Sequence, residues 1–196
     1  MFFRLLALAD MKRLRYLALL LALLLALLPL QGRAEEFSEA EIKAVYLYNF
    51  AFYITWPQTA VVEPASSIQY CVFNSNSAIS ESLAELFASE SNTARKFELK
   101  IVSNMSAIQT CHLLFIDQHD PVKSARVIEA VANSSVLTVS DRAGFAQKWG
   151  MIELMMENGR IHPIINTERL EAAKLSASSK LLRLVKRING NKGNEQ

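Results

Sequence analysis

No glycine-rich phosphate loop occurs in these 196 residues, and G-x-S-x-G, P-loop and G-x-G-x-x-G patterns are all absent. The backbone cradles of nucleotide-dependent enzymes and the nucleophile elbow of hydrolases are therefore missing. Histidine is scarce: His112, His119 and His162 are the three present, and none has a second ligand at C-x-x-C or H-x-x-x-H spacing. That leaves no recognised metal site. Cys111 and His112 are neighbours, but adjacent strand residues point to opposite faces, so they do not form a thiolate–imidazole dyad. A surplus of one charge is missing too. The formal charge is +2, which gives no electrostatic case for nucleic acid, because that ligand requires a clustered basic face. Internal repeats are absent, and the only low-complexity tract is N-terminal.

That tract is the first positive feature. An apolar run over residues 16–30 follows the basic cluster Lys12, Arg13 and Arg15, and small residues Gly32 and Ala34 close it. A charged start, a short apolar stretch and a small-x-small site make a secretory signal peptide, with cleavage expected after Ala34. The run is shorter than the roughly 18 residues a membrane span needs. Met11-Lys12-Arg13-Leu14-Arg15 would open such a segment unaided. Residues 1–34 then read as a signal peptide, 35–190 as an α/β domain and 191–196 as a disordered tail, in an exported, periplasmic protein. Without its leader the body keeps 21 − 5 = 16 basic and 19 − 1 = 18 acidic residues, a size and balance that suit one domain with a real core.

The body has two cysteines, Cys71 and Cys111. An oxidising compartment favours pairing them, and closing a loop of about 40 residues stabilises a fold by roughly 4 kcal/mol in the chain-entropy description. Two buried free thiols are the alternative.

Ser38 and Glu41 form a capping box ahead of a helix predicted over 37–56, which Pro57 should stop. Its apolar residues wrap nearly all round, so it must either lie inside the domain or turn one face to another chain. Strands are predicted at 68–73, 97–102, 111–116 and 136–139, with helices at 80–89 and 121–132 between them. Residues 151–156 and 160–165 flank Asn158-Gly159, a strong hairpin signal. Helices are predicted at 167–174 and 178–188. Strands alternating with helices, then a hairpin, give an α/β layered domain with a mixed, mostly parallel sheet and one antiparallel edge. Lys180, Arg183, Lys186, Arg187 and Lys192 concentrate positive charge near the C-terminus. They form either the solvated face of a last helix or a contact for anionic lipid or an acidic partner.

Asp117 and Asp141 end apolar strands, where α/β folds hold ligands, but acids at strand ends also cap helices and shape turns. No catalytic residue, metal or cofactor is expected. Phe145, Trp149, Met151, Ile152, Met155 and Met156 cluster around a loop and hairpin, with Ile164 and Leu170 behind them. Apolar, Met-rich surface marks an interaction site if exposed. Phe145, Trp149, Met151, Ile152, Ile164 and Leu170 are the candidate partner surface. Trp149→Ala or Ile152→Asp should then release the partner while sparing stability.

Two stretches carry a family resemblance. Residues 43–57 hold Lys43, Ala44, Tyr48, Asn49, Phe50, Trp56 and Pro57; residues 142–188 hold Arg142-Ala143-Gly144-Phe145-Ala146, Gly150-Met151-Ile152, Ile165-Asn166 and Ser178-Ser179-Lys180-Leu181-Leu182. With the export signal and the cysteine positions, the chain resembles the YfiR-type periplasmic repressors of diguanylate cyclases. The resemblance implies a non-catalytic regulator, dimerising, that binds the periplasmic part of an inner-membrane GGDEF cyclase and lowers cyclic-di-GMP and biofilm formation. It also implies an outer-membrane lipoprotein able to sequester the regulator. Members with two disulfides have a second pair at positions aligning with Ala146 and Glu153, so a redox switch relying on that pair lacks its thiols here. The rival reading is a periplasmic small-molecule sensing or solute-binding module, with its site near Asp117 and Asp141.

Overall fold

The computed structural model describes residues 37–58, 60, 67–73, 77–90, 95–117 and 120–189, together with Leu17, Leu19 and Leu20. The expected leader, apart from those three leucines, and the expected tail lie outside the described residues, as do His119 and Lys192. The chain divides into Met1–Glu36 and Phe37–Gln196, and the second unit holds the sheets and the helices packed on them.

Helix α1 (Glu39–Tyr53) begins as its sequence dictates. Ser38 Oγ accepts from the Glu41 amide and the Glu41 carboxylate accepts from the Ser38 amide, a complete capping box. The helix stops at Tyr53, short of the expected Trp56. Residues Ile54–Thr55 become strand β1, which pairs antiparallel with β8 (Ser176–Ala177). Sheet pairing, not Pro57, ends the helix.

The remaining elements are β2 (Ile68–Phe73), α2 (Ala78–Ser89), β3 (Phe97–Val102), β4 (Leu113–Ile116), α3 (Pro121–Val131) and β5 (Leu137–Ser140). A short helix α4 (Phe145–Lys148) leads to the hairpin β6 (Ile152–Glu157) and β7 (Arg160–Asn166), then α5 (Thr167–Ala172), α6 (Ser179–Leu182) and β9 (Lys186–Ile188). Seven strands make the main sheet in the order β3-β2-β4-β5-β6-β7-β9. β3, β2, β4, β5 and β6 are parallel neighbours, β7 returns antiparallel to β6, and β9 runs parallel to β7. The fold is α/β with a mixed, mostly parallel sheet, as expected. The hairpin, however, stands one strand in from the edge. Its turn sits on Asn158 and Gly159, with φ of 51° and 73°, the left-handed pair that a two-residue hairpin requires.

The expected last helix over 178–188 is mostly absent: one helical turn gives way to β9. Arg183, Lys186 and Arg187 are exposed along that turn and edge strand, so the solvated helical face is not formed. Charged side chains on an edge also discourage pairing with other chains.

Alternation along the central strands divides the core into two layers. Tyr70, Val72, Leu113, Phe115, Leu137 and Val139 pack with Leu47 and Phe50 of α1. Cys71, Phe73, Leu114 and Ile116 face the opposite way and meet Val127 and Val131 of α3. Strands buried on both faces read as unbroken apolar runs, which is why β2 and β4 are visible in the sequence. On the α3 side Cys71 and Cys111 form a disulfide with a Cα–Cα distance of 5.9 Å. On the α1 side Tyr70 donates to the carbonyls of Leu47 and Tyr48 at 3.2 and 3.1 Å, and burial pushes its phenol pKa upward.

Candidate partner-binding surface

The carboxyl end of β5 leads into residues 141–150, the loop that crosses to β6. Gly144 starts the short helix at φ +77°, in the left-handed region that favours glycine. Phe145 then enters the core with no exposed surface. Gly150 allows this, because a Cβ there would lie 1.9 Å from Phe145 Cε1. No other residue fits without moving the ring.

Buried polar groups fix the loop. Glu153, only 2% exposed, accepts from the amides of Gly144 at 3.0 Å and Ala146 at 3.2 Å. Asn166, fully buried, donates to the Ala146 carbonyl at 2.9 Å and accepts from the Arg169 amide at 3.1 Å as the cap of α5. Thr138 Oγ1 accepts from the Met151 amide at 3.1 Å. Ala146 and Glu153, the positions aligned with a second cysteine pair, are therefore neighbours joined by a hydrogen bond. They carry no thiols.

Lys43 of α1 holds the start of the loop. Its ammonium reaches Asp141 and Glu39 at 2.5 Å each while the residue is 6% exposed. Burial alone would lower the lysine pKa; the bonds to Asp141 and Glu39 outweigh it and hold the pKa above its ordinary value.

Of the six expected surface residues, five are core: Phe145, Met151, Ile152, Ile164 and Leu170 are all at most 8% exposed. The apolar patch foreseen from the sequence does not exist as a surface, because β6 and β7 are covered on both faces where these residues lie. Ile152→Asp would thus place a carboxylate in the core and test folding, not binding. Trp149 alone of the group is half-buried. The Arg142 guanidinium lies 4.5 Å from its ring centroid and the Lys148 ammonium 5.6 Å. Arg169 donates to the Lys148 carbonyl at 3.1 Å and shares with Trp149 the lining of a cavity of about 120 Å³. Nη1 of Arg142 and Nε of Arg169 are buried without a hydrogen-bond acceptor among the described residues. The result is an aromatic face flanked by two cations, with two buried N–H groups beneath it lacking acceptors among the described residues. Sequence reasoning found Trp149 but missed the two cations against its ring, Arg142 and Lys148.

The other chemical candidates are structural. His112 Nδ1 accepts from the Gln69 amide at 2.8 Å and its Nε2 lies 2.9 Å from the Ala60 carbonyl, so one neutral tautomer uses both nitrogens. Asp141 is engaged by Lys43, and His162 is exposed on β7. Among the described residues no group of three His, Cys, Asp or Glu could hold a metal ion, and no helix is long and apolar enough to cross a membrane.

Comparison with known proteins identifies the family. No curated protein matches. Among solved structures the chain is similar to the ABC domain in complex with L-Trp from Streptococcus pneumonia, at 10% identity and a TM-score of 0.44. That likeness covers 66% of this chain and 57% of that one, so the chain spans just over half of that protein's length. The YfiR/HmsC-like family model (DUF4154) matches residues 40–186, which include α1, the Asp141–Lys43 pair, the Trp149 loop and the hairpin. On that match, the chain belongs to the YfiR/HmsC-like family.

Proposed function

We propose that this protein is a periplasmic, non-catalytic regulator that binds the periplasmic region of an inner-membrane GGDEF diguanylate cyclase. By holding that cyclase inactive it would lower cyclic-di-GMP and biofilm formation. Family membership supports the class of activity. The observation that carries the contact is Trp149, an aromatic face at the surface of a rigidly clamped loop, flanked by Arg142, Lys148 and Arg169. Tryptophan and arginine are the side chains that most often dominate interface energetics. A partner segment with an apolar side chain and a carboxylate would match the ring and the exposed Lys148 ammonium together. Repression follows if the regulator binds the cyclase's inactive arrangement more tightly than its active one. The protein would work as a homodimer, and an outer-membrane lipoprotein competing for the same surface would relieve repression. Engagement of Asp141 by Lys43 disfavours the solute-binding alternative, whose site needed that carboxylate.

Affinity of the purified protein for the periplasmic regions of the membrane GGDEF proteins of its own cell tests this reading. Trp149→Ala should weaken binding by about 2 kcal/mol, roughly thirtyfold in Kd, with the domain still folded at a lower melting temperature, because the ring also packs on the core. Equal affinity of the two proteins would remove Trp149 from the contact.

A further inference from the structure

Charge is unevenly distributed along the domain. Residues 37–171 carry 10 basic and 15 acidic side chains, whereas residues 172–189 carry five basic and none acidic. The five are Lys174, Lys180, Arg183, Lys186 and Arg187, and each is exposed. Four of them fall within residues 180–187, on α6, the turn after it and β9. β9 is one edge of the seven-stranded sheet. Charge of either sign is enough to keep an edge from pairing with other chains, and the opposite edge, β3, carries both Glu98 and Lys100. A single sign on the β9 edge is more than edge protection requires.

Leu184 stands among these cations. Its amide donates to the Leu181 carbonyl at 2.9 Å, and Leu181 is buried, so the turn is anchored to the core from one side. Leu184 itself is 74% exposed. The Lys180 ammonium lies 5.5 Å from the ring centroid of Tyr53, at the carboxyl end of α1. An exposed leucine held between cations suits a surface that is anionic outside and apolar beneath. A phospholipid leaflet with anionic headgroups has that layering: the cations meet phosphates and the leucine reaches the acyl boundary. Its phosphates form a continuous plane, so all four cations and Leu184 are engaged at once. The same headgroups repel the acidic remainder of the domain, which sets the β9 edge toward the membrane.

We propose that the β9 edge, with Lys180, Arg183, Leu184, Lys186 and Arg187, docks on the anionic outer leaflet of the inner membrane. This rests on the periplasmic location in the proposed function, but it uses none of the residues assigned to the cyclase contact. The test contains no cyclase, so either reading can fail alone. It is co-sedimentation of protein recovered from the periplasmic fraction of expressing cells with vesicles of phosphatidylethanolamine and phosphatidylglycerol. Vesicles of phosphatidylethanolamine and phosphatidylcholine are the neutral comparison. Wild type should bind the anionic vesicles at least about tenfold more strongly, and high salt should remove the difference by screening. Lys186→Gln with Arg187→Gln should lower binding about 25-fold, roughly fivefold per cation, with an unchanged melting temperature. Lys180→Gln with Arg183→Gln, off the strand, should do the same and decides the matter if the first pair does not fold. Leu184→Asn should weaken binding about tenfold without altering its salt dependence. Equal binding to both kinds of vesicle, anionic binding that survives either folded double substitution, or no effect of Leu184→Asn would overturn the proposal. So would variants that lose affinity for the cyclase region but keep their vesicle binding, which would assign the cations to a polypeptide.

Discussion

Between β2 and the residue leading into β4, the chain is tied by a covalent bond, Cys71 to Cys111. Between β6 and the loop at 141–150, the comparable tie is the Glu153 carboxylate on the amides of Gly144 and Ala146. The first tie lies under α3 and secures the frame. The second secures the loop that presents Trp149. A reductant acts on the first and has no thiol to act on in the second. Strength and position are thus separated: the strongest constraint is remote from the proposed contact, and the one beneath the contact is reversible.

Breaking the covalent tie should have the largest effect. Cys71→Ala with Cys111→Ala, or reduction of the wild type, should cost about 2–5 kcal/mol of unfolding free energy, read by urea denaturation. Binding by the protein that remains folded should persist. Breaking the carboxylate tie should cost less and act locally. Glu153→Gln turns one acceptor into a donor that faces an amide, a loss of about 1.5–3 kcal/mol. Amide hydrogen exchange should quicken at Gly144 and Ala146 and stay slow at β2. Equal exchange changes in both regions would show that the two ties do not act separately.

The smallest effect belongs to Lys43, which joins α1 to the start of the loop. Lys43→Met should cost about 1–2 kcal/mol at neutral pH. The Lys43 pKa is raised in the folded state. Its contribution is therefore complete below the unfolded lysine value of about 10.4 and is lost as pH rises through the folded value. The stability gap between wild type and Lys43→Met should be flat up to that pH and narrow above it. A gap that widens with alkalinity would contradict the pairing with Asp141 and Glu39.

The sequence disclosed elements whose signal is local. Ser38 and Glu41 cap α1 within one turn, Asn158-Gly159 closes a hairpin alone, and the apolar runs of β2 and β4 need no partner to be recognised. Two kinds of feature escaped. Strands β1 and β8 are two residues each, too short to show any period, and they exist only because distant segments meet. Residues 178–188 have leucines and cations at spacings that fit a helix, but pairing with β7 draws 186–188 into the sheet. Tertiary pairing overrode local preference there.

The site divides along the same line. Phe145, Ile152 and Leu170 are apolar, and composition does not distinguish core from contact. Glu153 entered the sequence reading only as a position aligned with a second cysteine pair, and its carboxylate finds the Gly144 and Ala146 amides only once the loop folds over it. Lys43 and Asp141 are 98 residues apart in sequence, so neither foretells the other. Trp149 was found as one member of an apolar, Met-rich cluster, and the Arg142 side chain meets its ring only in three dimensions.

Repression through the Trp149 surface is decided by cellular cyclic-di-GMP, measured in a strain lacking this protein while its cyclases are expressed. The level should rise on deletion, return to its starting value with the wild-type protein, and fail to return with Trp149→Ala exported at the same amount. An unchanged level on deletion would contradict repression outright.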